Sequence, residues 1–275
     1  MRKLSRRELL AVSAAAATGL RADPMGLPIG SQTYPFRERI RGGDLAGVCK
    51  DLAGLGVGIV ELCSPGYSEF AGLTNAKETR KIIEDNGLKC PSSHFSMGDL
   101  RNKQQEMIDW AAGIGMTQMG TASLGGQMRN GVTTMDAVKR AADEYNKIGE
   151  QAAKAGMQQF LHDENFEMSK LDDGRLTYQV LLELLDPKLV KMQFQISSMT
   201  AIGDPVTYFT KYPGRFLSMH LQGLVGNSIA AVGKDSLDWP RIFAAAKTGG
   251  VKNYFVEMSW DLTVPSVAYL KTLKG

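Results

Sequence analysis

Short apolar runs that end in polar groups alternate along the chain with stretches whose Ala, Val, Leu and Ile recur at helical spacing. The first run, Ile29 to Tyr34, leads into a Pro-containing loop. Asp44 to Leu55 then carries apolar side chains three and four residues apart and is closed by Gly56, which predicts a helix with a glycine stop. Val57 to Cys63 is the second predicted strand. Thr74 to Asn86 is the second helix, with Thr74 or Asn75 as cap and Gly87 as stop. Leu88 to His94 reads as a third strand, although Pro91 within it removes a ladder donor.

The alternation continues to the end of the chain. Helix Lys103–Ile114 precedes strand Met116–Thr121, and a long amphipathic helix runs from Val132 to Lys154 before the stop at Gly156. Met157 to His162 is strand five, followed by helix Leu176–Leu185. Leu189 to Ile196 is strand six, and Asp204-Pro205 opens the helix after it. Phe216 to Leu221 is strand seven, and a Gly-containing loop over Gly223–Lys234 leads to helix Leu237–Lys247. Lys252 to Glu257 is strand eight, and Pro265 to Leu273 the last helix. Eight strand–helix units without a linker predict an α/β fold of the (β/α)8 TIM-barrel type, one domain over residues 23–275. A doubly wound open sheet shares the alternation, but no G-x-G-x-x-G follows the first strand, which counts against a dinucleotide fold.

Composition changes the picture at the amino terminus. Residues 1–22 begin with basic groups and the adjacent pair Arg6-Arg7, followed by an Ala-rich apolar stretch to Leu20. This layout predicts a twin-arginine export signal, hence a periplasmic address and no stable membrane association after export; an amphipathic helix is the alternative. Those residues hold five basic groups and one acidic group, so the remainder has 27 basic against 28 acidic side chains, a net charge of −1. A nearly neutral domain without a basic run offers no footprint for nucleic acid. Cys49, Cys63 and Cys90 form no C-x-x-C pair and are expected as buried thiols.

The chain has only three histidines, His94, His162 and His220, and all fall at predicted carboxyl ends of strands. Glu61, Gln195 and Glu257 fall at the same level on other strands. In a (β/α)8 barrel that end carries the chemistry, so these residues form one candidate site. Of the three tryptophans, only Trp260 lies near that rim.

From Pro28 to Leu273 the order and spacing of several motifs resemble the sugar phosphate isomerase/epimerase group of xylose isomerase-like barrels, the superfamily that includes AP endonuclease family 2. The matching pieces are Val60-Glu61-Leu62, Asp85 to Cys90 with Ser93-His94, His162 to Glu167, Asp204-Pro205, Tyr212 to Phe216 with His220, Val232-Gly233-Lys234 with Leu237-Asp238-Trp239, and Phe255-Val256-Glu257. The resemblance implies a divalent ion held by Glu167, by the residue at position 195, by His220 and by Glu257. Where relatives carry Asp, this chain has Gln195. Where a lysine and an acid often follow the His, it has Gln222 and Gly223, and Glu164 replaces a frequent second histidine.

An amide oxygen coordinates without charge, so ion affinity is expected to fall while Lewis acidity rises. Hard oxygen ligands with one imidazole favour manganese or magnesium, with zinc or cobalt next. The resemblance further implies that Glu167 and Glu257 are the proton carriers of a cis-enediolate reaction. His94, His162 and Arg215 would orient substrate oxygens, and Glu61, Glu164 and Trp260 complete the expected substrate-binding set. The expected partner is a small-molecule sugar, with oligomer formation left open. Isomerase or epimerase leads; a dehydratase or lyase on a 3-keto-glycoside and a non-catalytic sugar-binding barrel are the alternatives. An AP-site nuclease ranks last, because it needs more histidines and a basic face.

Overall fold

The computed structural model describes residues 24–127, 133–163, 166, 168–171 and 173–273. The export signal expected over residues 1–22 therefore lies outside the described residues. Eight parallel strands close into a barrel: β1 (Gly30–Gln32), β2 (Ile59–Cys63), β3 (Lys89–His94), β4 (Gln118–Thr121), β5 (Gln158–His162), β6 (Val190–Gln195), β7 (Phe216–Leu221) and β10 (Asn253–Val256). Between β7 and β10, β8 (Gly223–Val225) and β9 (Ser228–Ala230) form an antiparallel hairpin. Neighbouring barrel strands follow chain order, and β1 closes the barrel on β10. This is a (β/α)8 TIM barrel, as the alternation of runs predicts.

Most helix caps follow the sequence signals. Asp44 accepts from Gly47 N at 3.0 Å ahead of the helix Leu45–Leu55, and Gly56 ends it in the left-handed region. Asn75 caps Ala76–Asp85. Pro205 starts Pro205–Lys211, where Asp204 accepts from Val206 N at 3.0 Å.

Four local differences have identifiable causes. Pro91 stays in β3 because the β2–β3 register slips there: Ile59 pairs with Lys89 but Glu61 with Ser92, so the proline occupies the extra-residue position of a bulge. The last helix spans Trp260–Leu270 rather than starting at Pro265, since a proline this near the amino end frees only one carbonyl of the first turn. The segment expected as a loop over Gly223–Lys234 begins as the β8–β9 hairpin, turned at Gly226 with φ +59°. Met97–Asn102, capped by Ser96, adds a short helix that the apolar spacing does not signal.

The barrel interior is unusually polar. Gln32, Glu61, Ser92, Gln193 and Ser218 are buried on five strands, and Asn253 donates to Gln118 Oε1 across the barrel at 2.9 Å. Aliphatic side chains more often fill such layers. On β4, Gly120 leaves room for the Phe160 ring, which in turn packs edge-on to His94 at 5.7 Å. A Cβ at Gly120 would come well inside van der Waals contact with the nearest carbon of that ring. Gly120→Ala is expected to destabilise the protein by about 1–3 kcal/mol through overpacking, read as a lower urea midpoint at unchanged m. An unchanged midpoint would show that Phe160 relaxes freely. All three cysteines are buried, and burial pushes the Cys49 thiol up to about 12.

Candidate active site

A cavity of about 610 Å³ opens at the carboxyl end of the barrel, lined among others by His162, Asp163, Gln195, Gln222 and Glu257. Each polar group is set there by its strand. His162 and Gln195 are the last residues of β5 and β6, while Glu257 and Gln222 follow directly on β10 and β7. Asp163 anchors the floor: both its carboxylate oxygens accept from Gln195 N, at 3.1 and 3.0 Å.

Glu257 and His220 form the centre. His220 Nδ1 lies 3.2 Å from Glu257 Oε2, which also accepts from Gln195 Nε2 at 3.0 Å. Gln222 donates to the Glu257 carbonyl at 2.9 Å and accepts from Ser197 Oγ at 2.7 Å. A carboxylate can only accept, so the Gln195 amide must turn its nitrogen to Glu257. Its oxygen is then buried without a hydrogen-bond partner among the described residues. His162 Nδ1 is buried and unpartnered in the same sense. Buried polar atoms are normally paired, so these two mark where a ligand is expected.

Beneath this floor sits Glu61, fully buried. It accepts from Gln32 Nε2 at 2.9 Å, Ser92 Oγ at 2.6 Å, Gln193 Nε2 at 3.0 Å and His220 Nε2 at 2.6 Å. His94 Nε2 lies 3.3 Å from the same carboxylate and 2.7 Å from Gln193 Oε1. Burial opposes charge on His220, but the carboxylates of Glu257 and Glu61 on its two nitrogens overcome it and push its pKa up to about 10. Burial likewise opposes ionisation of Glu61, yet His94 and His220 hold it well below the usual carboxylate range. Glu257 is also lowered: burial works against it, and His220 prevails. Burial, reinforced by the neighbouring His220 and His94, keeps His162 neutral.

His94, His162 and His220 bring ligand-capable nitrogens within 4.8 Å of one another. Two of the three are already engaged, His94 by Gln193 and Glu61, and His220 by Glu61 and Glu257. The atoms left open at this floor are His162 Nδ1 and Gln195 Oε1, the latter beside Glu257 and His220.

The residues expected from sequence divide by position. Gln195, His220, Glu257 and His162 come together at the cavity floor, whereas Glu164 and Glu167 lie outside the described residues. Glu61 was expected to bind substrate; it is instead an interior group with no surface exposure. His94 shares that lower layer. Arg215 was expected to orient substrate oxygens, but it precedes β7 at the opposite end of the barrel. There it is buried and donates to the Leu185 carbonyl at 2.9 Å. Trp260 stands on the rim, edge-on to Phe36 at 6.1 Å, outside the cavity lining. Asp163, Ser197, Gln222 and Gln193 are site residues that sequence reasoning did not assign. Asp163 and Gln222 directly follow β5 and β7, and that position was the available signal.

Tyr34, Met168, Val225, Ile229, Trp260 and Val264 are the exposed large hydrophobics among the described residues. Two of them, Tyr34 and Ile229, border this cavity, and Leu262 joins them in its lining.

No family profile matches the chain, and no curated protein matches it in sequence. Solved structures do. A sugar phosphate isomerase/epimerase from Parabacteroides distasonis ATCC 8503 superposes with TM-score 0.75 at 22% identity, over 92% of this chain and 95% of that one. A xylose isomerase-like TIM barrel protein from Mycobacterium smegmatis in complex with magnesium gives 0.67 at 15% identity, over 90% and 96%. The probable 3-DHS dehydratase involved in petrobactin synthesis from Bacillus anthracis gives 0.68 at 12% identity, over 89% and 98%. These likenesses establish the fold.

Proposed function

We propose that the chain is a divalent-metal-dependent isomerase or epimerase of a keto-sugar or sugar derivative, working through a cis-enediolate. The observation that carries this reading is the donor set at the cavity floor. His220 Nδ1 and Gln195 Nε2 converge on Glu257 Oε2, and the buried Gln195 Oε1 has no donor to accept from. A carboxylate, an imidazole and an amide oxygen fit a hard or borderline divalent cation. Glu167, outside the described residues, is the expected fourth ligand. Manganese or magnesium suits this set best, with zinc or cobalt next. Such an ion would supply Lewis-acid polarisation of a carbonyl and its adjacent hydroxyl.

The chain's own residues supply the rest. Glu257, held as a carboxylate at the cavity wall, takes the proton from the carbon beside the carbonyl, and Glu167 is its expected counterpart on the other face. Neutral His162 presents an unpaired nitrogen to a substrate oxygen. Among the described residues that line the cavity, Arg37 is the only basic side chain other than His162. Its guanidinium lies over the Tyr34 ring at 4.5 Å. Lys234 is exposed and outside the lining. A free sugar therefore suits the cavity better than a phosphorylated one. In deuterated water, at least one member of a panel of keto-sugars and 3-keto-glycosides should show exchange at the carbon next to the carbonyl. Tight sugar binding with metal present but no exchange would replace this reading with a non-catalytic sugar-binding barrel.

The apolar lip favours a second reading of the same site. A polar floor under Tyr34, Ile229 and Leu262 suits an oxidised glycoside whose aglycone covers the lip. The same enediolate then leads to elimination, as a dehydratase or lyase.

Ion binding is separately measurable. Calorimetry should find one divalent ion per chain, bound more tightly after Gln195→Asp. Because uptake must displace the His220 Nδ1 proton, whose pKa is about 10, affinity should rise about tenfold per pH unit below that value. Absence of uptake with either residue at position 195 would show that the site does not hold a metal. The arginine pair supports export to the periplasm: residues 1–30 fused to a reporter should be exported, and Arg6→Lys with Arg7→Lys should block it. A native-sequence fusion retained in the cytoplasm would refute this.

A further inference from the structure

We propose that Glu61 is a positioning residue that acts through His220, fixing which imidazole nitrogen the ring offers to the cavity. The proposal rests on the metal reading above and adds a residue from the opposite side of the barrel, one that touches neither cavity nor substrate. β2, which carries Glu61, and β7, which carries His220, are separated by β1 and β10 in the barrel. Their side chains meet in the interior, with Nε2 at 2.6 Å from Oε1 and both groups fully buried.

The direction of that bond follows from chemistry alone. Every group around the Glu61 carboxylate is a donor: the Gln32 and Gln193 amide nitrogens, the Ser92 hydroxyl and the His220 and His94 Nε2 atoms. The carboxylate cannot donate in return, so His220 Nε2 must carry a proton. Nδ1 is left as the nitrogen that faces Glu257 and can become a ligand lone pair. The Phe255 ring packs edge-on to the imidazole at 6.1 Å and adds a steric wall to its orientation. Glu61 in turn is fixed by amide and hydroxyl donors on β1, β3 and β6. The orientation of one candidate ligand thus depends on a polar layer that spans the barrel. Carboxylate partners of ligating histidines typically change ion affinity by about 10–100-fold when removed.

Glu61→Gln tests this, because an amide cannot accept from every surrounding donor without placing its own N–H against one of them. Manganese affinity by calorimetry is expected to fall about 10–100-fold. In 15N-histidine-labelled protein with and without magnesium, the slowly exchanging, low-field Nε2 proton expected of His220 in wild type should be lost or shifted upfield in Glu61→Gln. Glu61→Asp keeps the charge with a shorter reach; it should retain the low-field proton and recover most of the affinity. It also serves as the folded variant should Glu61→Gln not fold, in which case any loss of affinity must be matched by a loss of the proton signal.

Folded Glu61→Gln with wild-type manganese affinity and an unchanged Nε2 signal would overturn the proposal. So would Glu61→Asp with wild-type affinity and the signal gone. A wild-type chain that takes up no ion overturns the metal reading instead. The Nε2 signal of ion-free protein then still decides Glu61: its persistence in Glu61→Gln refutes the positioning role, and its loss upholds it.

Discussion

Glu257→Gln is expected to slow solvent exchange of the substrate's carbon-bound proton by about 10²–10⁴-fold, the usual loss when a general base is removed. The substitution is close to isosteric. It keeps an oxygen for His220 Nδ1 and Gln195 Nε2, both of which bond to Oε2 alone in the described residues. The Gln222 bond to the backbone carbonyl of residue 257 does not depend on the side chain. The cavity should therefore survive, with an oxygen ligand still present and only the proton acceptor gone. At neutral pH the wild-type group is ionised: burial opposes charge on Glu257, and the His220 imidazolium beside it wins. Exchange needs only the first half of the reaction, so the measurement holds for isomerisation, epimerisation and elimination alike. An exchange rate within a few-fold of wild type, at unchanged ion and sugar affinity, would remove Glu257 from the role of base.

The barrel was legible because its two periods differ. Short apolar runs ending at Cys63, His94, His162 and Glu257 sit between stretches with helical spacing, and Gly56, Gly87 and Gly156 mark the stops. The cluster of all three histidines at one end was legible for the same reason. What pattern could not supply was depth. Residues two apart on a strand point the same way but lie in different layers, so Gln193 and Gln195 look equivalent in sequence. In the folded chain Gln193 reaches Glu61 in the lower layer, and Gln195 reaches Glu257 at the cavity floor. Glu61 was misplaced for this reason: it ends no loop, and its partners come from four other strands. Arg215 was misplaced by one element's length, since it precedes β7 whereas His220 lies near that strand's far end. The bulge at Pro91 depends on a register that only strand pairing defines.

Glu61→Leu is expected to destabilise the protein by about 3–5 kcal/mol, a large share of the total stability of a domain. Leucine fills comparable space but accepts nothing, so the Gln32, Gln193, Ser92 and His220 donors lose their common acceptor in a region without water access. The pH dependence separates this from a simple packing defect. Glu61 has a folded pKa below its ordinary value of 4.5, so its contribution is present above that value and disappears as the pH falls through the folded one. His220 is raised from 6.5 to about 10, so its contribution is full below 6.5 and fades as the pH rises toward 10. The stability gap between wild type and Glu61→Leu should accordingly be widest between about pH 4.5 and 6.5 and narrow on both sides. Urea unfolding of ion-free protein across that range measures it, with Gln222→Leu at the cavity wall as a control expected to lose far less. A gap below about 1 kcal/mol, or one that stays flat with pH, would mean that the charges in the barrel interior are not what holds this layer together.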